Sequence, residues 1–328
     1  MRKISILICS VMLIICSSCT DNPSSEPEDY RVAYEEYSEE VVELNDINRI
    51  QLDDDHIQTN IYYKDVSGYV VPVLRQLPKQ DGLAKNTLIA LIDNAENRLD
   101  LIDLGLSPVL PEEITFELAI KEDHTIRVDF NDAILSFSSE KEEQIAVQSV
   151  VYTLTEFESV DQVQFLVNNE IKDTLTYGTD VSKPLTRNNI NSLNNHVSGE
   201  SVKRAFYSYN NITSKYTYFI PITKNIPKDQ NDIASLVTEA ININKDLNIT
   251  IPEGFNVKNT VLEDDIAYLT VEKEVDSNDD DFIRLMKALC LTISQNEVVT
   301  SVKLIVENEE VENMQILTFT IPQHANVY

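Results

Sequence analysis

The sequence predicts an α+β fold made of two tandem βαββαβ modules, each with two layers. The first observation is a duplication, because residues 62–79 and 206–228 share a tyrosine-rich strand pattern followed by two prolines. The second is apolar alternation with a period of two, which is typical of strands with one buried face. The third is a pair of amphipathic helical patterns in each copy. Two helices on one face of a small sheet give the predicted two-layer module.

The duplication extends over further blocks. GLSPVLPEEITF at 105–116 corresponds to DLNITIPEGFNV at 246–257, and VDQVQFLVNNE at 160–170 corresponds to VTSVKLIVENEE at 299–310. Copies of about 105–110 residues have the size of ordinary domains and are too long for short solenoid repeats. The landmark pairs that recur in the same order are Tyr63/Tyr207, Pro72/Pro221, Pro78/Pro227, Pro111/Pro252, Thr153/Thr292 and Val163/Val302.

These patterns divide the chain into successive segments. They are a signal peptide at 1–19, an acidic tether at 20–57, a first domain at 58–177, a linker at 178–203 and a second domain at 204–320. The linker is assigned by its content of Asn, Ser and Thr, which is typical of connecting segments.

In the first copy, a helix is predicted over 83–97, with Leu99 at the end of its apolar stripe. A second helix begins at Ser139, whose Ser-Glu-Lys-Glu sequence is a capping box. Val150, Val151 and Leu154 form the apolar stripe of that helix and are expected in the core. The strands predicted in this copy are 58–64, 69–77, 114–120, 125–130, 161–167 and 171–177.

The second copy repeats this order with its own two helices. The first carries Ile233, Leu236 and Val237 on its apolar stripe. The second follows Asp279-Asp280-Asp281, which favours a helix start, and its residues Leu285, Leu289 and Ile293 are expected in the core.

Pro72 and Pro221 lie at equivalent places inside apolar strand patterns. Proline cannot donate to a sheet ladder, so both strands are predicted at a sheet edge or beside a bulge. One interpretation is that the prolines protect the edge against unwanted pairing. The other is that they shape an edge that receives a partner.

The first 19 residues have the pattern of a bacterial lipoprotein signal. Arg2 and Lys3 precede an apolar run from Ile4 to Ile15, which is too short to span a bilayer as a mature helix. Ser17 and Ser18 stand before Cys19, as in a lipobox, although Cys16 occupies the position where Leu is usual. We predict cleavage before Cys19 and attachment of acyl chains such as palmitate to its thiol. An ordinary secretory signal is the alternative.

The tether is acidic and begins with Pro and Ser residues, a composition that favours an extended chain. Within it, residues 30–44 repeat aromatic and apolar side chains at helical spacing, which predicts a short amphipathic helix. The whole chain carries 26 Lys and Arg against 55 Asp and Glu, a net charge of −29. Such a charge repels phosphate backbones, so nucleic acid is excluded as a partner, and membrane attachment is expected through the lipid alone.

No catalytic, cofactor or metal site is predicted. The four histidines, at 56, 124, 196 and 324, are scattered in polar segments, and Cys290 lies inside an apolar helical pattern as a small buried residue. The three aspartates at 279–281 lack the glycine and glutamate of a calcium loop. Paired carboxylates for glycan cleavage stay open, since 55 acidic residues offer many pairs.

The order YYKD, VPVLRQLP, GLSPVLP, IRVDF and VVYTLTEFESVDQVQFLVNN resembles the GerMN domain family. Two such domains behind a lipoprotein signal are similar to sporulation and spore germination lipoproteins of Gram-positive spore formers. The second copy departs from the pattern at Asn248 and Thr250, and it has YLTVEK in place of IRVDF. The resemblance implies a fold similar to the ring-building domains of secretion machines, and the family supplies no catalytic residues.

The resemblance implies a non-enzymatic scaffold that helps a channel complex between mother cell and forespore assemble, with protein partners in that complex and no small-molecule substrate. The expected location is the outer face of the cell membrane, bordering the space around the forespore. A solute-binding lipoprotein and a cell-wall-active enzyme are the alternatives. The binding surface, the oligomeric state and peptidoglycan binding stay open at this stage.

Overall fold

The structure is a computed structural model that describes residues 37–44, 55–79, 82–193, 197–211, 216–253, 255–272, 275–306 and 314–327. The predicted signal peptide, with the lipidation site Cys19, lies outside the described residues. Among the described residues, no helix is both long enough and apolar enough to cross a membrane.

The first part of the chain comprises β1 (Tyr37–Val42), β2 (His56–Asp65), β3 (Val70–Pro78), α1 (Leu83–Ile89), α2 (Ala95–Ile102), β4 (Leu106–Ser107), β5 (Phe116–Ile120), β6 (Thr125–Phe130), α3 (Glu140–Leu154) and β7 (Gln162–Val167). The second part comprises β8 (Ser201–Asn211), β9 (Thr217–Pro227), α4 (Ile233–Asp246), β10 (Val257–Glu263), β11 (Ile266–Val271), α5 (Asp280–Asn296), β12 (Ser301–Val306) and β13 (Met314–Thr320). Short 3-10 helices lie at Asp132–Leu135 and Lys228–Gln230. We call β2 to β7 module one and β8 to β13 module two.

Each module contains a hairpin and a separate sheet. In module one, the hairpin β2–β3 is extended by β4, and the sheet has the order β5-β6-β7. In module two, the hairpin is β8–β9, and the sheet has the order β1-β13-β12-β11-β10. Each sheet contains a parallel pair joined through a helix, β6–β7 or β11–β12. The strands of each of these pairs are parallel because a helix, α3 or α5, connects them as a crossover.

The helices α3 and α5 form the centre of their modules. Helix α3 contacts β2, β3 and β7, and helix α5 contacts β8 and β13, so each helix has a hairpin and a sheet packed against it. The six expected core residues, Val150, Val151, Leu154, Leu285, Leu289 and Ile293, are all buried. The predicted α+β tandem fold is therefore confirmed. The hairpin is a further layer over these helices, which explains why consecutive residues of α3 are buried rather than one stripe.

The backbone contacts of the hairpins fix the correspondence between the modules. The Tyr62 N–H donates to Thr153 Oγ1 at 3.1 Å, and the Tyr207 N–H donates to Thr292 Oγ1 at 2.8 Å. Tyr62 also pairs with Pro72, as Tyr207 pairs with Pro221. Tyr62 is thus the structural equivalent of Tyr207, and the predicted pairing of Tyr63 with Tyr207 is wrong by one residue. Adjacent tyrosines gave the sequence no means of choosing between them.

The predicted helix over 83–97 is instead two helices, α1 and α2. Between them, the backbone of Leu91 accepts hydrogen bonds from the N–H groups of Val109 and Leu110. The Asn94 side chain then accepts the Asn97 N–H and begins α2 with a new N-cap. This break turns Leu99 away from the core, and its side chain is 73% exposed.

The helix predicted over 30–44 is also wrong where the structure describes it, because residues 37–42 form strand β1. This strand pairs in parallel with β13 along its whole length. Glu39 accepts hydrogen bonds from Lys303 Nζ at 3.0 Å and Thr318 Oγ1 at 2.8 Å. The free edge of β13 is far away in sequence, so helical spacing alone could not predict this pairing. Tyr30 and Tyr34 lie outside the described residues.

Candidate functional site

The two modules meet where strands β3 and β9 lie side by side. Pro72 stands in β3 and Pro221 stands in β9, each opposite a tyrosine of its own hairpin. Neither proline has an N–H to continue the sheet, so the edges cannot join by a regular ladder. Two asparagine side chains, from the segments that follow β7 and β13, bind the edges that the prolines shape.

The first asparagine is Asn326, which is buried. Its Nδ2 donates to the carbonyl of Pro72 at 2.7 Å and to the carbonyl of Phe219 at 2.9 Å. Its Oδ1 accepts the Phe219 N–H at 2.8 Å. Phe219 stands two residues before Pro221, so the Asn326 side chain binds the edges of both β3 and β9.

The second asparagine, Asn191, makes the same three bonds with the modules exchanged. Its Nδ2 donates to the carbonyls of Pro221 and Val70, both at 2.8 Å, and its Oδ1 accepts the Val70 N–H at 2.8 Å. Val70 stands two residues before Pro72. Asn191 has a positive φ of 46°, a conformation that asparagine tolerates better than most residues. The two edges are therefore related by a local two-fold arrangement, which we call the seam.

Backbone bonds extend the seam on both sides. The Leu74 N–H donates to the Asn326 carbonyl at 2.9 Å, and the Thr223 N–H donates to the Ile190 carbonyl at 2.9 Å. Leu74 and Thr223 each stand two residues after the proline of their strand. The segment 190–193 thus lies against β9, as 326–327 lies against β3. Part of the predicted linker 178–203 is accordingly packed structure at the module boundary.

Beside the seam, Arg187 lies in a cluster of tyrosines and one carboxylate. Its Nη1 donates to Glu156 Oε1 at 2.6 Å, and its Nη2 donates to the Tyr62 hydroxyl at 2.6 Å. The guanidinium carbon lies 4.8 Å from the centre of the Tyr152 ring. The Glu156 side chain is only 18% exposed, so removing Arg187 would leave a largely buried carboxylate without its partner.

Burial and neighbouring charges shift the pKa values of the groups in this cluster. Burial raises the pKa of Tyr62, and burial raises the pKa of Tyr207 to about 12. Burial would lower the pKa of Arg187, but Tyr62 and Glu156 raise it above its ordinary value. At neutral pH the phenols are therefore neutral and the guanidinium is charged, so the cluster holds the Arg187–Glu156 ion pair against aromatic rings.

The residues singled out in the sequence do not converge on a reaction centre. Cys290 is buried, and burial raises the pKa of its thiol. His124 lies at the surface, with its Nδ1 3.3 Å from Asp161, while His196 is outside the described residues. Asp279 caps α5 by accepting the Asp281 N–H, as a helix start requires. Within the described ranges, no three His, Cys, Asp or Glu side chains are grouped as metal ligands.

Sequence reasoning missed Asn191, Asn326 and Arg187, the residues that build the seam and its cluster. Asn191 and Arg187 lie in the predicted linker, and Asn326 follows the second predicted domain. The signal that the sequence did contain was the pair of prolines. A strand edge at which a proline lacks an N–H cannot form a regular ladder, so side chains must bond to the backbone groups of that edge.

The chain resembles known proteins along most of its length. The profile of the family described as "Germane: Sporulation and spore germination" matches residues 60–173 and 205–312. The spore germination protein GerM of Bacillus subtilis (strain 168) is 32% identical over 191 residues, which are 57% of this chain and 50% of that protein. The chain is thus matched to about half the length of this curated relative.

Two solved structures are similar. The tandem GerMN domains of GerM from Bacillus subtilis superpose with a TM-score of 0.62 at 23% identity, covering 83% of this chain and 99% of that chain. This match shows the fold, including the tandem arrangement. The first GerMN domain of the same protein is 33% identical and covers 40% of this chain and 98% of that chain, with a TM-score of 0.38.

Proposed function

The chain belongs to the Germane family of sporulation and spore germination proteins, and from this premise we propose that it is a lipid-anchored, non-enzymatic scaffold. It helps a channel complex between the mother cell and the forespore assemble. The observation that supports this most is the seam, because Asn191 and Asn326 couple the two modules through hydrogen bonds to both proline edges. A coupled pair of modules presents its surfaces in a fixed relation, as a scaffold requires.

The chemistry of the described residues supports a binding role. The Cys290 thiol is buried and neutral, and the phenols of the Arg187 cluster are neutral at physiological pH. Arg187 is engaged by Glu156 and Tyr62 within the protein. These groups stabilise the boundary between the modules, and a scaffold needs nothing more reactive there.

The proposed location follows from the sequence. Acyl chains on Cys19 place the protein on the outer face of the membrane, which in an engulfed forespore borders the intermembrane space. Residues 20–36 connect Cys19 to β1, which is fixed on the sheet of module two. Fully extended, this connection reaches about 55–60 Å, so the modules can act well above the lipid surface.

The test compares sporulation in four strains of a spore-forming host: a deletion, Cys19→Ala, the double variant Asn191→Ala with Asn326→Ala, and the control Asn259→Ala at an exposed residue of strand β10. We expect the deletion, the lipid-free variant and the seam variant to stop after engulfment. The control is expected to sporulate normally. Immunoblots in each strain verify that the protein is present.

Three results contradict the proposal. One is normal sporulation of the deletion strain. A second is hydrolysis of peptidoglycan by the purified protein in a zymogram, which would assign a cell-wall-active enzyme. A bound solute recovered with the purified protein by mass spectrometry would instead assign a solute-binding lipoprotein.

A further inference from the structure

Helix α2 carries an apolar surface that the rest of the protein leaves uncovered. Its residues Leu99 and Ile102 are 73% and 69% exposed, and Ile89 at the end of α1 is 41% exposed. Asn97 ties the two helices together by donating to the carbonyls of Ile89 and Ile92. We call the surface formed by Ile89, Leu99 and Ile102 the α2 face.

The geometry of α2 shows that this exposure is built in. Leu101 is the one residue of the helix that is buried, and it holds α2 against the module. Leu99 stands two positions earlier, about 200° around the helix axis, and therefore points away from the protein. Glu96 and Asp103 lie within one turn of Leu99 on the same outer side, so acidic side chains border the apolar ones.

Module two offers a comparison that isolates the feature. It has one long helix, α4, where module one has α1 and α2. None of the large apolar side chains of α4 and α5 is exposed. Exposed leucine and isoleucine on neighbouring helices are therefore specific to module one, and such clusters mark interaction sites.

The charges around the α2 face identify its partner chemistry. Arg98, the one basic residue of α2, is neutralised by Asp93 at 2.6 Å and Glu112 at 2.8 Å. Arg75 faces Asp100 at 3.7 Å. Glu96 and Asp103 form no ion pair among the described residues, so the border of the face is net negative.

Resting on the proposed scaffold function, we infer that the α2 face docks a basic amphipathic helix of a partner protein. Leucine-type side chains of that helix cover Leu99 and Ile102, and its Lys or Arg residues pair with Glu96 and Asp103. A second copy of this chain is disfavoured, because each copy carries a net charge of −29. An anionic membrane is disfavoured for the same reason.

The binding test uses a fluorescent peptide of about 18 residues with leucines on one face and lysines on its borders. Fluorescence anisotropy measures its affinity for the purified full-length protein and two variants. Leu99→Glu alters the α2 face, and Val298→Glu adds the same charge at a side chain of module two that is 89% exposed. We expect Leu99→Glu to weaken binding about tenfold or more, and Val298→Glu to change it less than about twofold.

Several outcomes overturn the inference. They are the absence of binding, equal losses in the two variants, and equal binding of a peptide with glutamate in place of lysine. Self-association in sedimentation that Leu99→Glu abolishes would assign the face to a second copy and would also overturn the inference. Binding to phosphatidylglycerol vesicles that Leu99→Glu abolishes would assign the face to lipid, with the same consequence.

The same variants in a sporulating host separate this inference from the proposed function. If the deletion blocks sporulation and Leu99→Glu does not, the α2 face is unused and the scaffold function stands. If the deletion strain sporulates normally, the function fails whatever the peptide does. If Leu99→Glu blocks sporulation and Val298→Glu sporulates normally, the result supports both the α2-face inference and the scaffold function.

Discussion

Module one and module two share a fold but end differently, and one equivalent helix position has a different buried side chain in each module. Ten residues before the equivalent threonines Thr153 and Thr292, module one has Glu143 and module two has Phe282. Glu143 is buried and accepts the backbone N–H groups of Tyr177 at 2.8 Å and Thr179 at 3.1 Å. Phe282 is buried against Phe319 of β13, with ring centres 6.0 Å apart.

A carboxylate at this position holds an irregular loop, and an aromatic ring holds a strand. The predicted strand over 171–177 is therefore wrong, since the chain there forms a loop with bridges at Val167–Glu170 and Thr174–Asp180. In module two the same edge carries β13, and β1 pairs with β13 in turn. The buried side chain at this position thus matches the edge beside it: Glu143 binds the loop next to a three-stranded sheet, and Phe282 packs on β13 of a five-stranded sheet.

Replacing the ring should give the largest effect. Phe282→Ala removes the contacts with Phe255 and Phe319, and we expect a loss of about 3–5 kcal/mol in the free energy of unfolding. Urea unfolding monitored by circular dichroism measures it. A loss below about 1 kcal/mol would contradict the assigned role of Phe282.

The seam should come next. Asn326→Ala leaves the Phe219 N–H without its acceptor in a buried position, which we expect to cost about 1–3 kcal/mol. Asn191→Ala should cost a similar amount because its bonds are equivalent. A double-mutant cycle measures whether the losses of unfolding free energy in Asn191→Ala and Asn326→Ala are coupled. If the variants unfold like wild type, the modules are held together by other contacts.

The loop of module one gives a more local prediction. Glu143→Ala should destabilise the protein by about 1–3 kcal/mol, because two backbone donors lose a charged acceptor. Hydrogen exchange should accelerate at Tyr177 and Thr179, while the amides of β13 stay protected. Glu143→Gln keeps one acceptor and serves as the control, with a smaller loss expected. Equal protection of the loop in Glu143→Ala would show that this carboxylate does not hold it.

Strand β1 should give the smallest effect and the clearest pH dependence. The hydrogen bond from Thr318, followed by that from Lys303, lowers the pKa of Glu39 below its ordinary value of 4.5. Because the folded-state pKa is lowered, the stabilisation is complete above the unfolded-state pKa and is lost as the pH falls from there through the folded-state pKa.

Because Glu39 is partly exposed, Glu39→Gln should cost less than about 1 kcal/mol at neutral pH. Hydrogen exchange of the β1 amides between pH 7 and pH 3 measures the effect. Wild type and the variant should converge at acid pH, and a difference that grows on acidification would reverse the assigned role.

The sequence determined the features that depend on short-range pattern. The duplication, the α+β fold, the core residues of α3 and α5, and the caps at Ser139 and Asp279 follow from periodicity and local hydrogen bonding, which neighbouring residues control. The prolines at 72 and 221 likewise predicted two strand edges that cannot form a regular ladder.

Tertiary structure decided everything that depends on distant partners. Residues 37–42 form a strand on the edge of β13, and a hydrogen bond between Leu91 and Leu110 lies where the predicted helix 83–97 is interrupted. Glu143 binds the loop at 177–179, at the end of the predicted strand 171–177. Asn191 and Asn326 became the seam only because two proline edges meet in space. Backbone groups bond to whatever partner folding brings to them, and the local sequence does not encode which partner that is.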